Sequence, residues 1–505
     1  MPTPRSRRSP LPAVAATAAL LLPLAACSAP GDDGASGGGR PLRVVMAFPP
    51  AQAMSPYGDD AITLSRLAVT EGLTTLDADG AARPALAASW RRTGATAWTF
   101  TLRDAAFQDG TKVDAEAVVR SLTAAGKASP LPRVLSEATL TATATDPRTV
   151  RIVTGQADPL LPQRLANPSL AVLSAAAYGK SGVDPLGHAT GPFTMTRLNG
   201  AVGATLERNP AYWGGKAKAP GVEVTFVADG TARANALRTK AVDVAEYVPV
   251  SQASLLGDAY VHEFPSARTN GLSLNTRRGV FADPAMRAAA REAIDPTSLV
   301  EGVYEGRADT GQGLLGPGVP WAADARTAPR GRAAAAGRAE VARTKEIVLA
   351  TYTNRPELPE VATIVQQQLR GRGFTVKQVV RDYAQLEADA LAGRYDAFVQ
   401  ARNTLLDTAD PVSYLASDFT CDGTFNISQL CDERVDAAVG RAASQASTEG
   451  RHRAAAAAEA AVLGTDALVP LVHERFVQGY DGTRVEGVAL DPMERTLVTA
   501  DTRVR

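Results

Sequence analysis

Residues 345–415 read KEIVLATYTNRPELPEVATIVQQQLRGRGFTVKQVVRDYAQLEADALAGRYDAFVQARNTLLDTADPVSYL, and this stretch indicates the class of fold. Short apolar runs rich in β-branched residues alternate in it with apolar residues at helical spacing. The pattern predicts strand, loop, helix, strand, helix, strand and loop. Strands that alternate with helices form parallel βαβ units, so we expect an α/β fold. The predicted strands are Glu346–Thr353, Phe374–Val380 and Tyr395–Ala401, and the predicted helices lie between Val361 and Leu369 and over Tyr383–Ala392.

Two charged residues follow strands of this stretch. Arg355 comes just after the first strand, which Pro356 ends, and Asp407 lies in the loop after the third strand. In open α/β sheets, ligands bind beyond the carboxyl ends of the strands. A guanidinium can bind a carboxylate and a carboxylate can bind an ammonium group, so the pair would suit a zwitterion such as a short peptide. The alternative is that Arg355 is a solvated loop charge and Asp407 a helix cap.

Length and composition narrow the choice of function. The chain has 505 residues, is 45% hydrophobic and carries a formal net charge of +0, so it can form two or three domains with ordinary cores. A neutral balance argues against nucleic acid as a partner. No pair among the four His has ligand spacing, and Cys421 and Cys431 are too far apart for a paired-Cys zinc site. We expect neither a metal site nor a cofactor.

The first 27 residues have the features of an export signal. A basic start precedes the apolar segment Leu11–Leu24, which is short and interrupted by Pro. The tetrapeptide Leu24–Cys27 resembles the lipobox of bacterial lipoproteins, in which the Cys becomes the lipid-modified first residue of the mature chain. The alternative is a plain signal peptide with an incidental Cys. We therefore expect residues 1–27 to be a lipoprotein signal peptide and residues 28–41, rich in Gly and Ser, to be a flexible tether.

Two cysteines remain once Cys27 carries lipid. An exported chain lies in an oxidising compartment, where Cys421 and Cys431 can form a disulfide. Closing so short a loop would stabilise the fold by roughly 3 kcal/mol on the chain-entropy model. Free buried thiols are the alternative.

Residues 71–122 indicate a strand-rich region. Turns are predicted at Asp79-Gly80 and Asp109-Gly110, on either side of an alternating strand, Ala97–Leu102. Asp114 is predicted to cap the helix that follows.

The same region resembles the signature of the peptide/nickel-type extracellular solute-binding proteins, family 5, which serve ABC importers. Five blocks carry this resemblance: Glu71-Gly72-Leu73, Pro84 to Trp90 (PALAASW), Thr99 to Asp104 (TFTLRD), Phe107 to Gly110 (FQDG) and Ala115 to Leu122 (AEAVVRSL). Similar matches follow at Gly191-Pro192-Phe193, at Arg208–Gly215 (RNPAYWGG), at Ala236–Asp243 and from Gly271 to Asp295, where Asp283 is predicted to cap a helix. Within them we expect Tyr212 and Trp213 to pack a lobe and not to stack on a ligand.

The resemblance implies a two-lobed fold of the periplasmic-binding-protein type, cluster C, with a ligand cleft between lobes that two hinge crossings join. Lobe I, with an extra subdomain, would comprise residues 42–269 and 476–505, and lobe II residues 270–475. We expect His473, at the second crossing, to form hydrogen bonds and not to bind a ligand. The Ala/Arg-rich residues 322–343 are interpreted as a surface helix or an ordered excursion.

Within the family, the chain is most similar to the dipeptide-binding branch. Arg355-Pro356 matches the Arg-Pro with which that branch binds the ligand's α-carboxylate. Asp407, three residues before Asp410-Pro411, matches the Asp that binds the α-amino group, and the Cys pair around Asn426 occupies the same place.

One departure concerns the wall of the pocket. The dipeptide branch has an aromatic residue and Gly before the Asp, where this chain has Thr404-Leu405-Leu406. The nickel branch offers aromatics and a His around its chelate, and the loop Thr404–Phe425 has no His. A nickel chelate stays open as the alternative ligand, because a chelator can supply all the ligands of the metal.

These features together predict a monomeric lipoprotein on the outer face of the cell membrane. It would capture a small solute, a di- or oligopeptide, and deliver it to the permease and ATPase complex of an ABC transporter by hinge closure. A ligand-sensing receptor is a second class. An enzyme is disfavoured, because the sequence has no G-x-S-x-G, HExxH or P-loop motif.

Overall fold

The structure of the protein is a computed structural model. It describes residues 39–78, 80–135, 138–180, 182–405, 408–445 and 447–505. The predicted signal segment with Cys27, most of the predicted tether, and Asp79 lie outside the described residues. None of the helices described is long and apolar enough to span a membrane.

The described residues form strands and helices with the following bounds. The strands are β1 (Leu42–Met46), β2 (Thr74–Leu76), β3 (Ala82–Pro84), β4 (Ala87–Arg92), β5 (Ala97–Leu102), β6 (Leu140–Asp146), β7 (Thr149–Thr154), β8 (Tyr178–Gly179), β9 (Gly182–Val183), β10 (Phe193–Asn199), β11 (Gly203–Arg208), β12 (Gly221–Phe226), β13 (Val244–Ala245), β14 (Val261–Leu274), β15 (Ala308–Thr310), β16 (Ile347–Tyr352), β17 (Val376–Arg381), β18 (Ala397–Asn403), β19 (Leu468–Tyr480), β20 (Val485–Glu486) and β21 (Arg503–Val504). The α-helices are α1 (Asp60–Arg66), α2 (Ala115–Ala125), α3 (Leu161–Arg164), α4 (Gly230–Arg238), α5 (Val250–Leu256), α6 (Pro284–Ala293), α7 (Pro296–Gly302), α8 (Ala322–Ala325), α9 (Arg338–Val341), α10 (Glu357–Arg372), α11 (Tyr383–Leu391), α12 (Pro411–Phe419), α13 (Glu433–Ser444) and α14 (Thr448–Gly464).

A mixed sheet of 11 strands is the scaffold of the molecule. Its order is β10-β11-β12-β1-β13-β19-β14-β18-β16-β17, with β15 beside β19. In the β1 half, β1 pairs in parallel with β12 and β13, and in the β16 half, β16 pairs in parallel with β17 and β18. The long antiparallel strands β14 and β19 lie between the two halves and carry the chain from one to the other. The fold is therefore α/β and two-lobed with two crossings, as predicted.

Each half of the sheet has its own hydrophobic core, and a smaller sheet has a third. The core of the β1 half includes Leu42, Val44, Phe193 and Val222. The core of the β16 half includes Leu272, Ile347, Leu349, Val361 and Phe398. The third core, with Phe100, Leu102 and Val118, lies between α2 and the sheet β4-β5-β7-β6.

The elements predicted for residues 345–415 are present as β16, α10, β17, α11 and β18. Their bounds differ from the predicted ones by a few residues, and α10 begins earlier than predicted, at Glu357. It ends at Gly373, whose φ of 115° lies in the left-handed region that glycine adopts without strain. The predicted caps are also confirmed: Asp114 accepts a hydrogen bond from the Ala117 amide (2.8 Å) and Asp283 one from the Ala285 amide (2.8 Å).

Tyr212 and Trp213 pack within the fold, as predicted. The Tyr212 hydroxyl and the Trp213 indole nitrogen each donate a hydrogen bond of 3.0 Å to the carboxylate of Glu71. The guanidinium of Arg103 lies 3.5 Å from the centre of the Trp213 ring. The contact joins three of the sequence blocks that resemble the family signature.

Candidate functional site

A small, partly open space lies between the β1 half and the β16 half of the sheet, beside the crossing strand β19. Its volume is about 70 Å³, which admits a few water-sized groups but not a whole dipeptide. Side chains from both halves and from β19 line it. They include Phe48, Tyr247, Arg355, Glu357, Glu474 and Phe476.

Arg355 lies in this space because β16 ends just before it and α10 begins just after it. Its Nη1 donates a hydrogen bond of 3.1 Å to Oε2 of Glu474, on β19. Burial opposes the charge of the guanidinium, but the carboxylates of Glu474 and Glu494 outweigh burial and raise the pKa of Arg355 above its usual value. Arg355 is thus a paired residue of the cleft, and its interpretation as a solvated loop charge is wrong.

Asp407 lies outside the described residues, so its pairing with Arg355 around a ligand stays a prediction. Described residues follow it closely in the sequence. Asp410 caps α12 by accepting a hydrogen bond from the Val412 amide (2.8 Å), and it also pairs with Arg451 at 2.5 Å. The helix cap and the ion pair account for the Asp410 carboxylate, so no role in ligand binding is assigned to it.

A buried network of charges adjoins the space and is centred on Glu494. Its Oε1 accepts hydrogen bonds from Arg268 Nη2 (2.7 Å) and Asn403 Nδ2 (2.9 Å), and its Oε2 accepts one from the Tyr247 hydroxyl (2.6 Å). Arg66 Nη2 lies 3.2 Å from the same Oε2. Burial alone would raise the pKa of Glu494, but the guanidinium groups of Arg268, Arg355 and Arg66 outweigh it and lower the pKa to about 2.

Sequence reasoning missed most of these charged residues. Arg66, Arg268 and Glu494 belong to no motif and meet only through the fold. Glu474 did carry a signal, because it follows the apolar run LVPLV at the start of β19 and lies within the same strand. Buried charges in such a strand need partners, so Glu474 could have been selected from the sequence.

Glu357, at the first position of α10, lines the same space without an ionic partner. Among the residues described, no Lys or Arg nitrogen lies within 4.0 Å of its carboxylate. Burial, and after it the negative charge of Glu474, raises the pKa of Glu357. Part of the lining is aromatic: the rings of Phe48 and Tyr247 are 6.0 Å apart and those of Tyr247 and Phe476 5.0 Å apart, both edge to face.

A disulfide joins Cys421 to Cys431 in the structure. Asn426, inside the closed loop, donates hydrogen bonds to the carbonyl oxygens of Thr420 (3.0 Å) and Leu430 (2.6 Å). Within the part of the chain that the structure describes, no three His, Cys, Asp or Glu side chains are grouped so that they could hold a metal ion.

Comparison with known proteins gives a consistent group of matches. The family model of the bacterial extracellular solute-binding proteins, family 5 (middle region), matches residues 81–426. A probable D,D-dipeptide-binding periplasmic protein of Escherichia coli is 26% identical over 393 residues, which are 75% of this chain and 73% of that protein. A glutathione-binding protein of Escherichia coli is 32% identical over 285 residues, 53% of this chain and 55% of the relative.

Solved structures share the fold at low sequence identity. The nickel-binding protein of Staphylococcus aureus in complex with Ni(L-His)2 superposes with a TM-score of 0.79 at 21% identity, over 92% of this chain and 100% of that chain. A dipeptide-binding protein of Pseudoalteromonas in complex with Met-Leu superposes with the same TM-score, 0.79, at 18% identity, again over 92% of this chain and 100% of the other. The fold therefore does not distinguish a peptide from a metal chelate as the ligand.

Proposed function

The chain belongs to family 5 of the bacterial extracellular solute-binding proteins, and from this premise we propose that it captures a di- or oligopeptide in the cleft around Arg355 and delivers it to the permease of an ABC importer. The peptide binds and leaves unchanged. Because the space in the present conformation is too small for a whole dipeptide, the two halves must open about β14 and β19 to admit the peptide, and their closure then holds it.

The position of Arg355 carries this proposal. The residue lies beyond the carboxyl end of a parallel strand, where α/β proteins bind ligands. In the described part of the chain its guanidinium makes one hydrogen bond, from Nη1 to Glu474. A guanidinium has five N–H donors, so a peptide carboxylate can still be bound through two of them.

Two further parts of the proposal rest on the sequence. The match of Asp407 to the dipeptide-binding branch supports a role in binding the peptide's amino group. The lipobox-like Leu24–Cys27 supports a lipid anchor on Cys27, which would hold the protein at the outer face of the cell membrane.

Native mass spectrometry of the full chain, extracted gently from its own membrane, tests ligand and anchor together. Heterogeneous added mass in the di- to tripeptide range would support a peptide ligand. A single discrete mass that contains metal would instead identify a chelate, the alternative ligand. The denatured chain would retain the mass of the lipid if Cys27 is modified.

The role of Arg355 is tested by the variant Arg355→Gln. We expect the wild-type protein to bind a dipeptide with a free carboxylate roughly 10- to 150-fold more tightly than its C-terminal amide, the range for a hydrogen bond to a charged group. Calorimetric titration should show that Arg355→Gln removes this difference. Arg475 is the matched control, because it lines the same space but pairs with Asp309 (2.6 Å). An undiminished preference for the free acid in Arg355→Gln would contradict the proposal.

A further inference from the structure

We propose that the cleft also has a site for a cationic group of the solute, in which the Glu357 carboxylate binds an ammonium or guanidinium group against the aromatic wall of Phe48, Tyr247 and Phe476. This inference rests on the proposed function and narrows the substrate class to solutes that carry a basic group, such as a peptide with a Lys or Arg side chain.

The balance of charge around the space is the first argument. Arg355 is neutralised by Glu474, with 3.1 Å between Nη1 and Oε2. Arg475 is neutralised by Asp309. The four charged lining residues, two Arg and two Glu, sum to zero, and Glu357 is the one among them without an ion pair in the described part of the chain.

Arg233, whose charge also interacts with that of Glu357, is held by other groups. Arg233 donates hydrogen bonds to backbone carbonyl oxygens on both sides of it, at Glu246 (2.9 Å) and Tyr247 (2.7 Å) as well as at Val227 and Ala228 (both 2.8 Å). A guanidinium held by four carbonyl groups is not free to turn toward a carboxylate. No described Lys or Arg forms an ion pair with Glu357, so its carboxylate can bind a cationic group of the solute.

The aromatic wall is the second argument. Aromatic faces attract cations through their quadrupole, and the attraction strengthens where water is excluded. Phe48 is 42% exposed, which is unusual for so large an apolar side chain and leaves its surface available to a solute. Tyr247 and Phe476 are held against one another behind it. A carboxylate in a space lined by aromatic rings is suited to a cation and poorly suited to an anion.

The size of the space and the ionisation of Glu357 agree with this assignment. The volume of about 70 Å³ suits the end group of a basic side chain, while the rest of the solute lies along the cleft. The pKa of Glu357 is raised because burial and Glu474 both disfavour its negative charge. A bound cation would offset both effects.

Glu357 has an alternative role that the test must separate. It lies in the first turn of α10, where negative charge favours the helix dipole and stabilises the helix. Glu360 lies in the same turn and is exposed, away from the space. The variant Glu360→Gln therefore removes the same charge from the helix end and keeps the Glu357 carboxylate in the proposed site.

The experiment is calorimetric titration of the wild-type protein, Glu357→Gln and Glu360→Gln with Ala-Lys and with Ala-norleucine, which have nearly the same length and differ in charge. The wild type and Glu360→Gln are expected to bind Ala-Lys about tenfold or more tightly than Ala-norleucine. Glu357→Gln is expected to bind the two peptides equally. Equal affinities in the wild type, or an unchanged preference in Glu357→Gln, would overturn the proposal.

A third ligand, cadaverine, which is a diamine without a peptide bond, separates this inference from the proposed function when the same proteins are titrated with it. If no dipeptide binds but cadaverine binds the wild type and not Glu357→Gln, the peptide assignment fails and the cation site stands. If neither dipeptides nor cadaverine bind, both fail. Thermal unfolding of the three proteins without ligand shows whether each variant is folded.

Discussion

At the scale of single residues, His473 shows how the crossing strands fix a side chain. It is 2% exposed on β19, and its Nδ1 lies 2.9 Å from the hydroxyl of Thr269 on β14. Nε2 has no hydrogen-bond partner among the described residues. Gly316 packs so closely that a Cβ there would lie 2.4 Å from the ring. The histidine thus links the two crossings, as the sequence predicts.

His473 makes the stability of the protein depend on pH. Burial, and after it the charge of Arg326, lowers its pKa to about 4. The ordinary value of about 6.5 applies to the unfolded chain. Between these two values the unfolded state binds a proton that the folded state does not, so stability falls as pH falls from about 6.5 to about 4, by about 3 kcal/mol.

Urea unfolding at a series of pH values between 7 and 4 checks this expectation, with His473→Gln as the variant. We expect the unfolding free energy of the variant to decrease much less across this pH range than that of the wild type. His188→Gln is a suitable control, because His188 is only partly buried and lies away from the crossings. Curves of equal slope for the wild type and His473→Gln would contradict the assignment.

Among the helices and strands, the sequence predicts correctly those elements whose periodicity agrees with their burial. The strand β16 is apolar and rich in β-branched residues, β18 is buried throughout, and α10 has an apolar face that packs against them, so pattern and packing select the same structure. The cap residues Asp114 and Asp283 are equally local signals.

The Ala-rich segments were predicted less well. Residues 322–343 form only the short helices α8 and α9, because Pro329 and Gly331, with a φ of 81°, interrupt the segment. The Ala-rich residues 435–462 form two helices, α13 and α14, and Ser447 caps the second by accepting a hydrogen bond from the Gly450 amide (3.2 Å). Alanine favours a helix but does not mark its ends, whereas the Ser cap would have done so.

The loop closed by Cys421 and Cys431 gives a prediction about an element. The cysteines are separated by 10 residues, and a cross-link over so short a loop stabilises a protein by about 3 kcal/mol on the chain-entropy model. We expect the double variant Cys421→Ser/Cys431→Ser to lose about that much unfolding free energy in urea. A reductant should bring the wild type to the same value and leave the variant unchanged. Equal stability of the oxidised wild type and the variant would show that the disulfide is not needed.

At the scale of the whole molecule, the site depends on contacts that no local pattern reveals. The position of Arg355 after a strand identifies it as a candidate site residue. Its pairing with Glu474, 119 residues away in the sequence, follows only from the fold. Arg66 and Glu494 are separated by 428 residues. The sequence places each residue on an element, and only the strand order of the sheet determines which charges meet.

Glu494 connects the three parts of the molecule that the sheet brings together. Its carboxylate contacts Arg66, which ends α1 in the β1 half; Arg268, which lies on β14; and Asn403, which ends β18 in the β16 half. Because those guanidinium groups are buried, removal of the carboxylate charge leaves them poorly compensated. We expect Glu494→Gln to reduce the unfolding free energy at pH 7 by about 3 kcal/mol. This value follows from the difference between the ordinary pKa of a Glu carboxyl group and the pKa of about 2 in the folded protein.

The sign of the pH dependence gives the sharper test of Glu494. Its folded-state pKa lies below the unfolded value, so the unfolded chain binds more protons in acid, and the stability it contributes is present above about pH 4.5 and lost as pH falls toward 2. Urea unfolding curves of the wild type and Glu494→Gln should therefore converge near pH 2. Glu486→Gln, a surface variant beside Arg503 and Arg505, should follow the wild type throughout. If the unfolding free energy of Glu494→Gln lies as far below that of the wild type at pH 2 as at pH 7, the substitution disturbs packing and not charge.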